Sequence, residues 1–118
     1  MIECDEEQEM FFQCLLYKLR DLVRNSEARF VFKKTVQTFK PEYALRLFSH
    51  IKPIFLETAC DKYGICVVKF MIKQFEYDQG FVQGIAAEFF KNISKGKANS
   101  HFNFGIHHLL EVVNLNRW

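Results

Sequence analysis

Two segments a constant 36 residues apart read as the same supersecondary unit: residues 25–33 (NSEARFVFK) and 61–69 (DKYGICVVK). The offset sets Ala28 opposite Gly64, Val31 opposite Val67, Phe32 opposite Val68 and Lys33 opposite Lys69. It also pairs Val36 with Ile72 and Phe39 with Phe75. A fixed period between about 20 and 50 residues marks stacked repeats, each of which buries its apolar face only against a neighbour. The period therefore predicts an all-α, short solenoid of two to three helical repeats. Such folds bind extended partners along one face more often than they do chemistry.

The helical pattern fills in the units. Apolar residues at three- and four-residue spacing predict an amphipathic helix over 5–24, with Met10, Phe11, Cys14, Leu15, Tyr17, Leu19, Leu22 and Val23 on its apolar side. Acids at its start suit the helix dipole. Asn25 and Ser26 break the pattern and offer an N-cap. Helices are expected over 27–39, 41–51, 64–76, 81–95 and 101–115, with Pro41 in a first turn and a short helical piece over 54–59 after Pro53. No segment alternates as a strand would. One domain, 1–118, divides into an N-terminal capping helix (1–24), repeats at 25–60 and 61–96, and a partial repeat or C-terminal cap at 97–118. The register of that last unit is open. Residues 103–106 (NFGI) echo 62–65 (KYGI) at an offset of 41, whereas a strict 36 sets Ser100 opposite Gly64.

A chain of 118 residues with 14 Phe has apolar surface enough for one core, and no run approaches a membrane span. The core-compatible aromatics are Phe32, Phe39, Phe48, Phe55, Phe70, Phe75, Phe89 and Phe90. Charge is uneven. The first ten residues hold five acids and no Lys or Arg, so the remainder carries 16 basic against nine acidic side chains. A basic body favours polyanions, although a mixed soluble surface has the same balance. The acidic start matches neither a signal peptide nor a basic transit peptide. Cys4, Cys14, Cys60 and Cys66 form no C-x-x-C pair, which points to an intracellular chain with reduced, buried thiols. His101, His107 and His108 lack a Cys or carboxylate at metal-ligand spacing. Nucleophile, phosphate-loop, zinc-protease and dinucleotide motifs are absent. His107 and His108 near Glu111 make a surface pair rather than a proton relay. A non-catalytic protein without cofactor is expected.

Residues 61–72 (DKYGICVVKFMI) resemble the core of a Pumilio (PUF) repeat, in which an aromatic-Gly pair leads into the helix lining the RNA-facing surface. The period of 36 is also that family's. The likeness is closest over 53–76, looser over 19–39 and weak after 97. It implies that three positions after the Gly meet one base, the first and fifth by hydrogen bonds and the second by stacking. These are Ile65, Cys66 and Lys69 in one unit and Arg29, Phe30 and Lys33 in the other. Neither set fits a base-reading code. Ile65 offers no hydrogen bond, and Lys33 and Lys69 only donate. A fifth-position Lys suits phosphate better than a base edge.

The chain is thus similar to the divergent, nucleolar, ribosome-assembly branch of PUF-like proteins, which bind structured RNA without base readout. Lys69 and Lys73 share one stripe, and Lys33 with Gln37 makes its counterpart. Phe30 is a stacking platform or core, and Lys91, Lys95 and Lys97 form a cluster that the helix dipole alone also favours. The expected partner is RNA, ribosomal RNA or a ribosomal particle included, in the cytoplasm or nucleolus and not at a membrane. The alternative is a helical adaptor that takes a protein partner on the curved face or at an exposed end of the stack. Read alone, the lysines equally suit the solvated faces of amphipathic helices.

Overall fold

The computed structural model describes residues 5–115, and the side chains of 6–113. All regular structure in that span is helical. The helices are α1 (Asp5–Tyr17), α2 (Leu19–Leu22), α3 (Ala28–Thr38), α4 (Pro41–Ile51), α5 (Phe55–Ala59), α6 (Gly64–Gln74), α7 (Gln79–Lys91), α8 (Ile93–Gly96) and α9 (Ser100–Leu115). A 3-10 turn, Lys52–Ile54, joins α4 to α5 around Pro53.

Local chemistry explains the boundaries. Pro41 opens α4, where its missing N–H costs nothing. Three side chains cap helices in the same way. Asn25 Oδ1 accepts from the N–H of Glu27 and Ala28 at 2.8 and 2.9 Å. Asp61 Oδ2 accepts from Tyr63 and Gly64 at 2.9 and 2.8 Å. Asn99 Oδ1 accepts from His101 and Phe102 at 2.9 and 3.1 Å. Each satisfies N–H groups that the first turn leaves unpaired. The cap residues Asp61 and Asn99 stand 38 residues apart, an offset that matches neither 36 nor 41. Gly105 falls inside α9, and Phe102 takes the position of Gly64.

Two long helices are broken where one was expected. Lys18 leaves helical geometry at φ −127°, ψ 43° and divides 5–24 into α1 and α2. Asn92 likewise ends α7 before α8, its side chain donating back to the Glu88 carbonyl.

Helix α6 lies between α3 and α9. Contacts give their direction. Arg29 meets Tyr63 and, further along both helices, Lys33 meets Phe70, so α3 and α6 run parallel. Ile65 faces Gly105, and Lys69 and Lys73 both act on His108, so α9 runs the same way. Helices α4 and α7 lie behind, touching through Phe48 and Phe81 at 5.5 Å between centroids. The smallest dimension is 20 Å, the depth of two helix layers of about 10 Å each.

One continuous core runs from Phe12 and Val23 through Phe32, Leu47, Ile51 and Phe55 to Val67, Val68, Met71, Ile72, Ile85 and Phe102. Val67 is fully buried, but Val31, expected beside it in the core, is 37% exposed. The outer side of α3 has no preceding inner helix upon it. Phe90, expected inside, is 76% exposed, because it lies on the side of α7 away from that core. Tyr17 and Met10 also face out. Nor are the thiols buried: Cys14 is exposed and Cys60 and Cys66 are half-buried, while Cys4 lies outside the described residues. Burial pushes the Cys60 thiol pKa up.

Gly64 has ordinary helical backbone, and its requirement is steric. A Cβ there would stand 2.3 Å from the Thr58 carbonyl oxygen. Replacing Gly64 with Ala forces α6 off α5 and should destabilise the fold by about 1–3 kcal/mol, read as a lower midpoint in denaturant. An unchanged midpoint would contradict this approach.

A bidentate ion pair ties α1 to α4. Arg46 Nη1 and Nη2 donate to the two Glu9 oxygens at 2.5 and 2.8 Å. Arg46, with Gln13 at 2.7 Å, holds the Glu9 pKa down to about 2 from an ordinary 4.5. The folded state thus binds this proton more weakly than the unfolded chain. The pair's stabilisation is complete above about pH 4.5 and is lost as pH falls from there toward 2. The melting-temperature gap between wild type and Glu9→Gln should be constant above that window and close within it.

Candidate nucleic-acid interface

Cations and rings alternate across α3, α6 and α9. The Arg29 guanidinium lies 4.5 Å from the Phe30 ring and 4.8 Å from that of Tyr63, joining α3 to the start of α6. Lys62 Nζ lies 5.5 Å from the same Tyr63 ring. Lys33 Nζ, on α3, is 5.3 Å from the Phe70 ring of α6. Lys69 Nζ, on α6, is 4.2 Å from the Phe104 ring of α9. A cation over a ring face is held in position and keeps N–H donors for an anion. Phe30 and Phe104 are each 56% exposed, so each also has free ring surface.

Gly105 sets the spacing. A Cβ on it would stand 2.6 Å from Ile65 Cδ1 and 2.7 Å from Phe89 Cζ. The bare backbone lets α9 close on α6, which brings Phe104 within reach of Lys69. Ile65 is buried in this junction and belongs to the packing, not to the surface.

Two polar atoms of this region are buried without a hydrogen-bond partner among the described residues: Arg29 Nη1 and His108 Nε2. His108 sits beside the lysines of α6. Burial lowers its pKa first, Lys69 and then Lys73 lower it further, and Glu111 and Glu76 oppose them. Its imidazole is held toward the neutral form.

The residues expected at the site divide into groups. Arg29, Phe30, Lys33 and Lys69 fall on the inner file of helices, with Tyr63 and Phe104 as their ring partners. Cys66 is half-buried with its thiol 3.6 Å from the Lys62 carbonyl, so it presents no stacking face. Lys73 is exposed but pairs with Glu76 at 3.4 Å, which weakens its offer to a phosphate. Lys91, Lys95 and Lys97 are exposed on the end of α7 and around α8, on elements outside the α3–α6–α9 file. Among the described residues no group of three or more His, Cys, Asp or Glu side chains could hold a metal ion. In the same span no helix is long and apolar enough to cross a membrane.

Reading the sequence missed Tyr63, Phe104 and His108 as parts of this surface. The Asx residue three places before Gly64 and again before Phe102 was the signal that aligns α9, and hence Phe104, with α6. No family model matches the chain, and neither a curated protein nor a solved structure matches it.

The electrostatic contact has a direct readout. Lys69→Met should raise the His108 pKa in an NMR titration, since a cation that opposes imidazole protonation is gone. Lys95→Met should leave it in place. No change with Lys69→Met would place the ammonium elsewhere.

Proposed function

We propose that this chain is a short PUF-like α-solenoid that binds RNA without catalysis, mainly through the phosphate backbone and RNA shape. The observation that carries this reading is the row of ring-seated cations, Arg29 and Lys33 on α3 and Lys69 on α6, whose ring partners extend to Phe104 on α9. Exposed Phe30 and Phe104 stand beside them. Phosphate takes point charges and does not require the acceptors that Lys33 and Lys69 lack. Aromatic faces stack any base, so they add affinity with little sequence preference. The three matching caps, with α3, α6 and α9 in file, support the repeat reading. The resemblance points to ribosomal RNA or a ribosomal particle as the target, and so to an intracellular, cytoplasmic or nucleolar, site of action.

The test measures affinity for several unrelated RNA sequences against salt. Changing Lys33 and Lys69 together to Ala should weaken all of them alike. It should flatten the slope of log affinity against log salt by about 0.7–0.9 for each lost phosphate contact. Phe104→Ala should weaken binding by about 1–3 kcal/mol with the slope kept. The triple change of Lys91, Lys95 and Lys97 to Ala should do neither. Absence of RNA affinity at physiological salt would refute the proposal, as would loss of one base preference with an intact slope.

A further inference from the structure

The file α3–α6–α9 has two internal junctions, and their contacts define a forward and a backward face on each helix. Lys33 of α3 faces forward onto Phe70 of α6. Ile65 and Lys69 of α6 face forward onto Gly105 and Phe104 of α9, with His108 beside Lys69. The helix caps fix the register. It places Phe30, Val31 and Lys34 at the backward positions of α3 that Cys66, Val67 and Phe70 hold on α6. On α9 the same positions are Phe104, Gly105 and His108. Inside the molecule Phe70 is met by Lys33 of α3, and Phe104, Gly105 and His108 by Lys69 and Ile65 of α6. On α3 they line an open groove of 460 Å³ with Phe11, Thr35 and Phe39. Helix α1 reaches it only through Phe11, which contacts Phe39 at 5.8 Å.

The opposite end is apolar too. Phe90 of α7 and Ile93 of α8 form a second groove with Ile106, Leu109 and Leu110 of α9. Leu110 is 51% exposed and Phe90 76%. His107, at the position of Lys33 and Lys69, is exposed beside it. So α9 carries forward positions with no helix on them, and α3 carries backward positions with none.

We propose that these two ends fit each other: the α9 end of one molecule seats on the α3 end of a second copy of this chain, continuing the stack head-to-tail. The internal junctions supply the argument. At the α3 end the open positions are those at which Phe70, Phe104 and Gly105 are met inside the molecule, and at the α9 end His107 and Leu110 fall on the helix face that Ile65 and Lys69 present to α9 from α6, so the new junction sets together the same two faces. The inference rests on the repeat register and not on RNA binding. A heterologous contact of this kind does not close on itself. Assembly should therefore grow with concentration and stop at no fixed number.

Light scattering and sedimentation velocity without RNA provide the test. Wild-type mass should rise from micromolar to near-millimolar concentration. Val31→Glu spoils the α3 end and Leu110→Glu the α9 end, so each variant alone should stay monomeric. An equimolar mixture should form dimers of one molecule of each and nothing larger, because each retains the complementary end. Circular dichroism checks that both fold, and Phe30→Ser with Phe90→Ser, at exposed rings, repeats the cross. Wild type that stays monomeric overturns the proposal and leaves the grooves to another protein or to the chain's own ends. A mixture that stays monomeric, or either variant assembling like wild type, overturns it as well.

Discussion

Everything in this fold hangs on α6, which is packed on several sides at once. Val67, Val68, Met71 and Ile72 are fully buried. Each such side chain contributes about 1.5–3 kcal/mol when removed from water, but only if something covers it. These side chains spread over about 140° of the helix surface, a wider arc than one packed neighbour covers. Helices α3, α5, α7 and α9 must all be present. Two of the close approaches, Gly64 on the Thr58 carbonyl and Gly105 on Ile65, join α6 to α5 and to α9. Side chains there would widen both junctions, and the cations would lose the rings they rest upon.

That dependence joins the core to the surface. Lys33 is held by a ring of the next helix, and so is Lys69. The surface charge therefore reports the spacing of the stack. A flexible lysine loses rotamer freedom when it meets an anion. One already seated over a ring has given up part of that freedom in the free protein. On the proposed reading, the packing that builds the core also prepares the row for a polyanion. Lys73 differs because its partner, Glu76, is an acid of its own helix end.

Much of the helical layout was legible because it is set locally. Pro41 fixes the start of α4, and Asp61 fixes that of α6. Periodicity alone found every helix of two turns or more, since an amphipathic pattern needs no knowledge of its neighbours. The breaks at Lys18 and Asn92 were not legible, because apolar residues continue on both sides of each. Nor was the Glu9–Arg46 pair, which joins residues far apart in the chain and carries no local signature. Val31 and Phe90 were misjudged for a common reason. Hydrophobicity says that a side chain gains from cover, while only the arrangement of helices says whether cover is there. The site was legible as a list of cations on α3 and α6. Of its rings, Tyr63 ahead of the second helix and Phe104 on the third were missed, and Phe104 needed the third cap to bring it into register.

On the proposed reading, the position expected to meet a base bears on why phosphate is the expected target. It is occupied by Arg29 in the first unit, Ile65 in the second and, in the register of the caps, Asn103 in the third. These three have different occupations. Arg29 is clamped between Phe30 and Tyr63, Ile65 is buried against Gly105, and Asn103 donates to the Lys97 carbonyl at 2.7 Å. Each is engaged in holding the stack or its turns together. A polar side chain at 65 would need a partner inside an apolar junction or would push α9 away. The packing that seats Lys69 over Phe104 thus excludes a hydrogen-bonding reader one turn before it. At Ile65, the close approach of α9 to α6 leaves an apolar junction with no place for a hydrogen-bonding side chain.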